Sequence, residues 1–156
     1  MPPLYDSVSD PKTTAMDLDE RDAFLGSGGT GVISLSSANG ESPHSVPVSY
    51  GYDSSEPTFY FRLAVSADSE KGDLTNRHAT FVVYGQPEDE WRSVVAKGRL
   101  EETTEPSIAT ESLRGLEQVH IPLVDIFGRP TADVPFEFYR LVPAEITARK
   151  ESSTAP

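Results

Sequence analysis

Short β-strand patterns follow one another closely along most of this chain. Each is rich in β-branched and aromatic residues or alternates apolar with polar ones, and turn signals such as Asn39-Gly40 separate them. The links are too short for parallel crossovers, except for the connection through 66–78. The sequence therefore predicts a mainly β fold, an antiparallel β-barrel with two or three short helices. The predicted strands are residues 31–36, 46–52, 59–63, 79–84, 91–100 and 136–146.

The helix signals are fewer and shorter than the strand signals. Asp17 with Glu20 three positions later has the pattern of a capping box, which predicts a helix from Asp17 to Leu25. A second short helix is predicted over residues 68–77. Thr104-Glu105-Pro106 is expected to cap a third, because proline suits the first turn of a helix.

The ends of the chain differ in composition from the rest. Residues 1–15 are rich in Pro, Ser, Thr and Asp, and residues 150–156 are similarly poor in apolar side chains. We expect both to be disordered tails around one domain over residues 16–149, since 156 residues suit a single domain.

The chain is strongly acidic, with 25 acidic and 13 basic residues, a net charge of -12 and no cysteine. Such a charge disfavours binding to nucleic acid or to an anionic membrane, and the lack of cysteine excludes disulfides and thiolate catalysis. The carboxylates either keep the surface soluble in a general way or adapt the protein to high salt. The scarcity of lysine favours the salt-adapted, halophilic interpretation. No apolar run is long enough to cross a bilayer, so we expect a cytoplasmic protein. Because the chain has no cysteine and only three histidines, we expect no metal site.

The stretch from Val46 to Lys71 places cations against this general negative charge. Arg62 follows the aromatic strand, and Ser69-Glu70-Lys71 stands at the predicted start of the second helix. A helix N-terminus presents free N–H groups and a positive dipole end, so this stretch is a candidate phosphate site. The alternatives are a solvated helix lysine for Lys71 and a surface ion pair for Arg62.

The order of these segments carries a family resemblance. A helix is followed by the strands Gly-Val-Ile-Ser-Leu, Val-Pro-Val-Ser-Tyr and Phe-Tyr-Phe-Arg, the Ser-Glu-Lys helix start, and the strands Phe-Val-Val-Tyr and Trp-Arg-Ser-Val-Val-Ala-Lys-Gly-Arg. This order resembles the pyridoxamine 5'-phosphate oxidase-like family of FMN-binding split-barrel flavoproteins, over roughly residues 17–104 and more loosely over the last strand. The resemblance implies a six-stranded split β-barrel of Greek-key type.

The family further implies a homodimer with FMN held in a cleft at the subunit interface. The family's flavin-contacting positions correspond here to Val46, Pro47, Val48 and Ser49 along the ring, Arg62 and Leu63 near the ribityl phosphate, Ser69 and Lys71 at the phosphate, and Ser93 beside the ring. The backbone of the first strand would meet the polar edge of the flavin.

Three departures separate this chain from the true oxidase. Glu70 stands where the phosphate signature has an arginine, Ser93 replaces a glutamine, and the C-terminal Trp and Arg motif has no counterpart after Phe136. Despite these departures, the resemblance implies an FMN-binding oxidoreductase whose chemistry is carried by the flavin. Its electron donor would be NADH, NADPH or another compound, and no catalytic side chain is assigned. The alternatives are a non-catalytic flavin-binding or sensor module, or the same fold with a deazaflavin or haem.

Overall fold

The computed structural model describes residues 13–37, 40–64, 74–118 and 136–152, which form eight strands and two α-helices. The strands are β1 (Thr13–Ala15), β2 (Gly28–Leu35), β3 (His44–Asp53), β4 (Thr58–Ala64), β5 (His78–Gly85), β6 (Glu90–Thr103), β7 (Phe136–Leu141) and β8 (Glu145–Ser152). The helices are α1 (Leu18–Leu25) and α2 (Thr110–Gln118), with short 3-10 turns at Pro87–Asp89 and Glu105–Ser107. Within these ranges, neither helix has the length and apolar composition that crossing a membrane requires.

Six of the strands close into an antiparallel barrel in the order β6–β5–β2–β3–β4–β7, with β7 returning to β6. The long strand β6 makes closure possible because it has two partners in succession. Its residues 90–97 pair with β8, and its residues 100–103 pair with β7. The barrel wall splits where β6 changes partner, and β8 and β1 extend the sheet beyond the split. The predicted six-stranded split β-barrel is confirmed.

Inward-pointing aromatic side chains fill the barrel. The rings of Tyr50, Phe59 and Phe81 meet edge to face, with centroids 5.3–5.9 Å apart, an arrangement that aromatic quadrupoles favour. The Tyr50 hydroxyl donates to the Leu25 carbonyl oxygen at 2.9 Å, which satisfies a buried polar group and ties the end of α1 to the barrel.

Helix α2 packs directly on bare backbone at the outer face of the barrel. A Cβ atom at Gly51 of β3 would overlap the Ser112 carbonyl oxygen, and one at Gly28 of β2 would lie 2.5 Å from the Gly115 carbonyl carbon. Ser112 and Gly115 are therefore buried although neither is a large apolar residue. Close approach requires small residues on both sides of this contact.

The first helix agrees with its sequence signal. Asp17 accepts a hydrogen bond from the Glu20 amide at 2.8 Å, and the Glu20 carboxylate accepts one from the Asp17 amide at 3.1 Å. This reciprocal pair is the predicted capping box, so the helix signal at Asp17 is confirmed.

The other two helix predictions need correction. Of residues 68–77, the described part is a turn at 74–76 rather than a helix, with Asn76 at φ 68°; residues 68–73 lie outside the described ranges. The third helix begins at Thr110 rather than near Pro106, because Ile108 returns to extended backbone after the 3-10 turn.

The predicted strand over 136–146 is in fact two strands. β7 ends at Leu141 and β8 begins at Glu145, and Pro143, which has no backbone N–H to donate to a ladder, lies in the link. β2 and β3 form an antiparallel hairpin, but their link spans residues 36–43 instead of a two-residue turn at Asn39-Gly40, of which Asn39 lies outside the described ranges. β1 and β8 carry the sheet three residues beyond each predicted domain limit, 16 and 149.

Candidate functional site

The pairing of β3 with β4 stops partway along both strands. The ladder runs from Asp53–Thr58 to Tyr50–Phe61 and ends there. Beyond it, residues 44–49 of β3 pair only with β2 among the described strands, while β4 continues alongside β7. The two strands thus diverge into a fork, and Ser49 and Arg62 are the first residues past the last pair. A half-paired strand is an edge whose backbone groups can meet an extended polar ligand.

The predicted flavin-contacting residues of β3 alternate between the two faces of the barrel wall. Val48 is buried, and Val46 packs against the core cluster, so both side chains point inward. Pro47 is exposed and Ser49 is half-buried on the outer face. This alternation follows from the two-residue period of a strand. Only the backbone of Val46 and Val48 is therefore placed to meet a ligand at the outer face.

Arg62 and Leu63 on β4 show the same alternation. Leu63 points into the core and is 2% exposed. Arg62 is half-buried on the outer face, with its guanidinium carbon 4.9 Å from the centre of the Phe136 ring. Its Nε atom is buried and has no hydrogen-bond partner in the described part of the chain. A buried donor of a cation without an acceptor is costly, so the position fits an anionic group of a ligand.

Ser69 and Lys71 lie outside the described residues, together with Glu70. The structure brings together Val46, Pro47, Val48, Ser49 and Arg62 at the fork, with Leu63 beneath it. The assignment of Ser69 and Lys71 to a phosphate stays a prediction.

Ser93 is not brought to the fork. It lies half-buried on β6, where it pairs in register with Tyr84 of β5 and Arg149 of β8. Strands β5 and β2 separate it from β3, which corresponds to about 14 Å at roughly 4.8 Å per strand spacing. Within one copy of the chain, the fork and Ser93 are therefore two separate regions of the outer face.

An apolar row connects these two regions across four strands. Pro47, Val32, Val82 and Val95 are neighbours in register, and each is exposed or half-buried on the outer face. This row is not among the site residues predicted from the sequence. The nearly continuous apolar run over 79–84 could have revealed it, because a strand covered on both faces is apolar at every position.

A stacked aromatic pair borders the row at the start of β6. The Tyr84 and Trp91 rings lie 6.2 Å apart at 26°, and their side chains are 62% and 43% exposed. Two large rings this exposed beside an apolar row are typical of a surface that binds another molecule.

The perturbed tyrosines of the barrel do not belong to an acid–base site at the fork. Burial raises the pKa of Tyr50 and Tyr139 above the ordinary tyrosine value. Burial also raises the pKa of Tyr52, and the hydrogen bond that its hydroxyl donates to Asp22 at 2.7 Å adds to this effect. These groups stay neutral and serve the packing of the barrel.

Comparison with known proteins shows a match to one protein family. A family model described as pyridoxamine 5'-phosphate oxidase matches residues 17–150. A search of curated proteins gave no match.

Several solved structures share the fold. The FAD binding protein from Mycobacterium smegmatis has a TM-score of 0.57 and 18% identity, covering 89% of this chain and 98% of that chain. An FAD-binding protein from Mesorhizobium loti has a TM-score of 0.56 and 16% identity, and the match covers 90% of this chain and 97% of that chain. The FAD and heme binding protein from Mycobacterium smegmatis has a TM-score of 0.55 and 15% identity, and the match covers 93% of this chain and 75% of that chain. At these identities the likeness establishes the fold alone.

Proposed function

The chain belongs to the pyridoxamine 5'-phosphate oxidase family, and we propose that it is a flavoprotein that binds FMN at the fork between β3 and β4. The divergence of these strands after the Tyr50–Phe61 pair carries the proposal, because beyond it residues 45–48 pair only with β2 among the described strands, beside Arg62. Structural neighbours named as FAD-binding proteins support a flavin in general. The choice of FMN rests on the family resemblance, in which Ser69 and Lys71 correspond to the residues that hold the FMN phosphate.

The residues of the fork would bind and orient the flavin. The backbone of Val46 and Val48, which pairs only with β2 among the described strands, would offer N–H and C=O groups to the polar edge of the ring. Arg62 offers a cation whose Nε lacks an acceptor in the described part of the chain, and Lys71 would neutralise the phosphate. The flavin itself would supply hydride or electron transfer, which makes the protein a flavin-dependent oxidoreductase.

We also propose a homodimer. Ser93 lies about three strand spacings from the fork within one copy, and a second copy that brings its own β6 to the fork would place Ser93 beside the flavin. The apolar row of Pro47, Val32, Val82 and Val95 suits such a contact, because a two-fold axis places the same surface on both partners. The predicted cytoplasmic location and salt adaptation stay predictions.

The visible absorption spectrum of the purified chain tests the proposal directly. We expect flavin bands and release of FMN on denaturation; a colourless protein that FMN does not stabilise against heat contradicts the proposal. Release of FAD would show that the cofactor is FAD and not FMN. A deazaflavin or haem spectrum would favour the alternative in which the same fold binds that cofactor. Anaerobic mixing with NADH or NADPH then separates a reductase, whose flavin bleaches, from a binding or sensor module. Sedimentation equilibrium measures the dimer.

A further inference from the structure

The split in the barrel wall opens a cleft apart from the fork. β6 pairs with β8 as far as Lys97 and with β7 from Leu100, so Gly98 and Arg99 pair with neither strand. The link between β7 and β8 crosses at this point, where the Ala144 amide donates to the Lys97 carbonyl oxygen at 2.8 Å. The resulting open cleft has a volume of about 380 Å³.

Three basic side chains line this cleft. His78 and Arg99 are opposite each other in register, and Lys97 lies on the same face two residues before Arg99. None of the three side chains makes a hydrogen bond or ion pair with the described part of the chain. Four other cations of the described residues, by contrast, are each paired with a carboxylate, namely Arg21, Arg92, Arg140 and Lys150.

The acidic residues of the cleft do not cancel this charge. Glu101 accepts a hydrogen bond from Arg140 Nε at 2.7 Å, so it is already neutralised by a cation from β7. Glu145 is opposite Lys97 in register but lies beyond ion-pair distance from any cation in the described ranges. The cleft therefore holds more cations than uncommitted carboxylates, within a chain whose net charge is -12. A dianion competes with Glu145 for these cations better than a monoanion does.

We propose that this cleft binds a small phosphate dianion, either free phosphate or a phosphomonoester. The planar guanidinium of Arg99 suits two phosphate oxygens at once, and the Lys97 ammonium adds a point charge. Val142 and Ala144 also line the cleft, and they leave apolar surface for the organic part of an ester. The site lies on the outer face of β5 and β6, so it does not depend on a flavin at the fork.

The test is a titration of the 15N-labelled full chain with inorganic phosphate and with phenyl phosphate, at constant ionic strength. We expect saturable shifts at the Gly98, Arg99 and Ala144 amide signals. The Lys97→Gln/Arg99→Gln double variant should weaken binding about tenfold or more, as loss of charge-assisted contacts does. Arg114→Gln removes an exposed charge on α2 and should leave the affinity unchanged.

Two further results complete the test. Glu145→Gln removes the competing carboxylate and should tighten binding, and it does not depend on the folding of the double variant. Tighter binding of phenyl phosphate than of phosphate identifies an ester as the ligand, and equal binding identifies free phosphate. Shifts that do not saturate, or equal affinity in the original chain and the double variant, overturn the proposal.

Discussion

The guanidinium carbon of Arg62 lies 4.9 Å from the centre of the Phe136 ring, which links the outward cation of β4 to the first residue of β7. The ring attracts the cation through its quadrupole, and the contact is worth roughly 0.5–1 kcal/mol at an exposed site. It leaves the buried Nε without an acceptor in the described part of the chain. Arg62 is thus positioned before any ligand arrives, at the fork where β3 and β4 part.

Replacing Arg62 should weaken flavin binding far more than replacing its aromatic neighbour. We expect Arg62→Gln to raise the dissociation constant about ten- to a hundredfold, because a charge-assisted contact is lost. Phe136→Leu should raise it only about two- to fivefold, since it removes a cation–π contact alone. Flavin fluorescence titrations measure both constants. Arg114→Gln is the charge-matched control, and an Arg62→Gln affinity equal to that control would remove Arg62 from the site.

Lys71 should matter through its charge. We expect Lys71→Ala to weaken FMN affinity by on the order of ten- to a hundredfold and to weaken riboflavin affinity little, because riboflavin lacks the phosphate. Lys12→Ala removes the same charge from the predicted N-terminal tail and should change neither affinity. Equal losses for FMN and riboflavin would instead assign Lys71 a structural role.

The contact of α2 with β3 should depend on the absence of a side chain at residue 51. Gly51→Ala places a methyl group onto the Ser112 carbonyl oxygen, and we expect a loss of about 1–3 kcal/mol in the free energy of unfolding. Gly85→Ala is the matched control, because its added Cβ meets only the Phe24 ring and Pro87 at 3.7–3.9 Å. Urea denaturation measures both, and similar midpoints for the two variants would contradict this packing.

Alkaline pH should unfold the chain rather than simply ionise its buried tyrosines. The pKa values of Tyr50, Tyr52 and Tyr139 are raised in the folded state, chiefly by burial. Their contribution is complete below the unfolded tyrosine pKa of about 10 and is lost as the pH rises above it. We expect tyrosinate absorbance from these residues to appear together with the loss of far-ultraviolet circular dichroism. Full tyrosine ionisation of a chain that keeps its β signal would refute this.

Features of the fold that depend on residues close together in the sequence could be predicted, whereas features that depend on contacts between distant residues could not. The helix at Asp17 depends on residues three apart, so its capping box was readable from the sequence. Pro143 is a local signal for the break between β7 and β8, but the change of partner along β6 that accompanies the break is not contained in the alternation over 136–146. For the same reason, the small residues Ser112 and Gly115 gave no sign that they are buried against β2 and β3.

By itself, the sequence determined the fold class and the faces of most strands, because alternation and short links leave few ways to bury this many aromatic residues. The family resemblance also grouped Val46–Ser49, Arg62, Leu63, Ser69, Lys71 and Ser93 into one flavin site, which stays a prediction. Only the tertiary structure decided that β3 and β4 diverge at Ser49 and Arg62. It also decided that strands β5 and β2 separate Ser93 from β3 on the outer face of the barrel. Strand pairing and barrel closure join residues distant along the chain, so local patterns alone do not encode them.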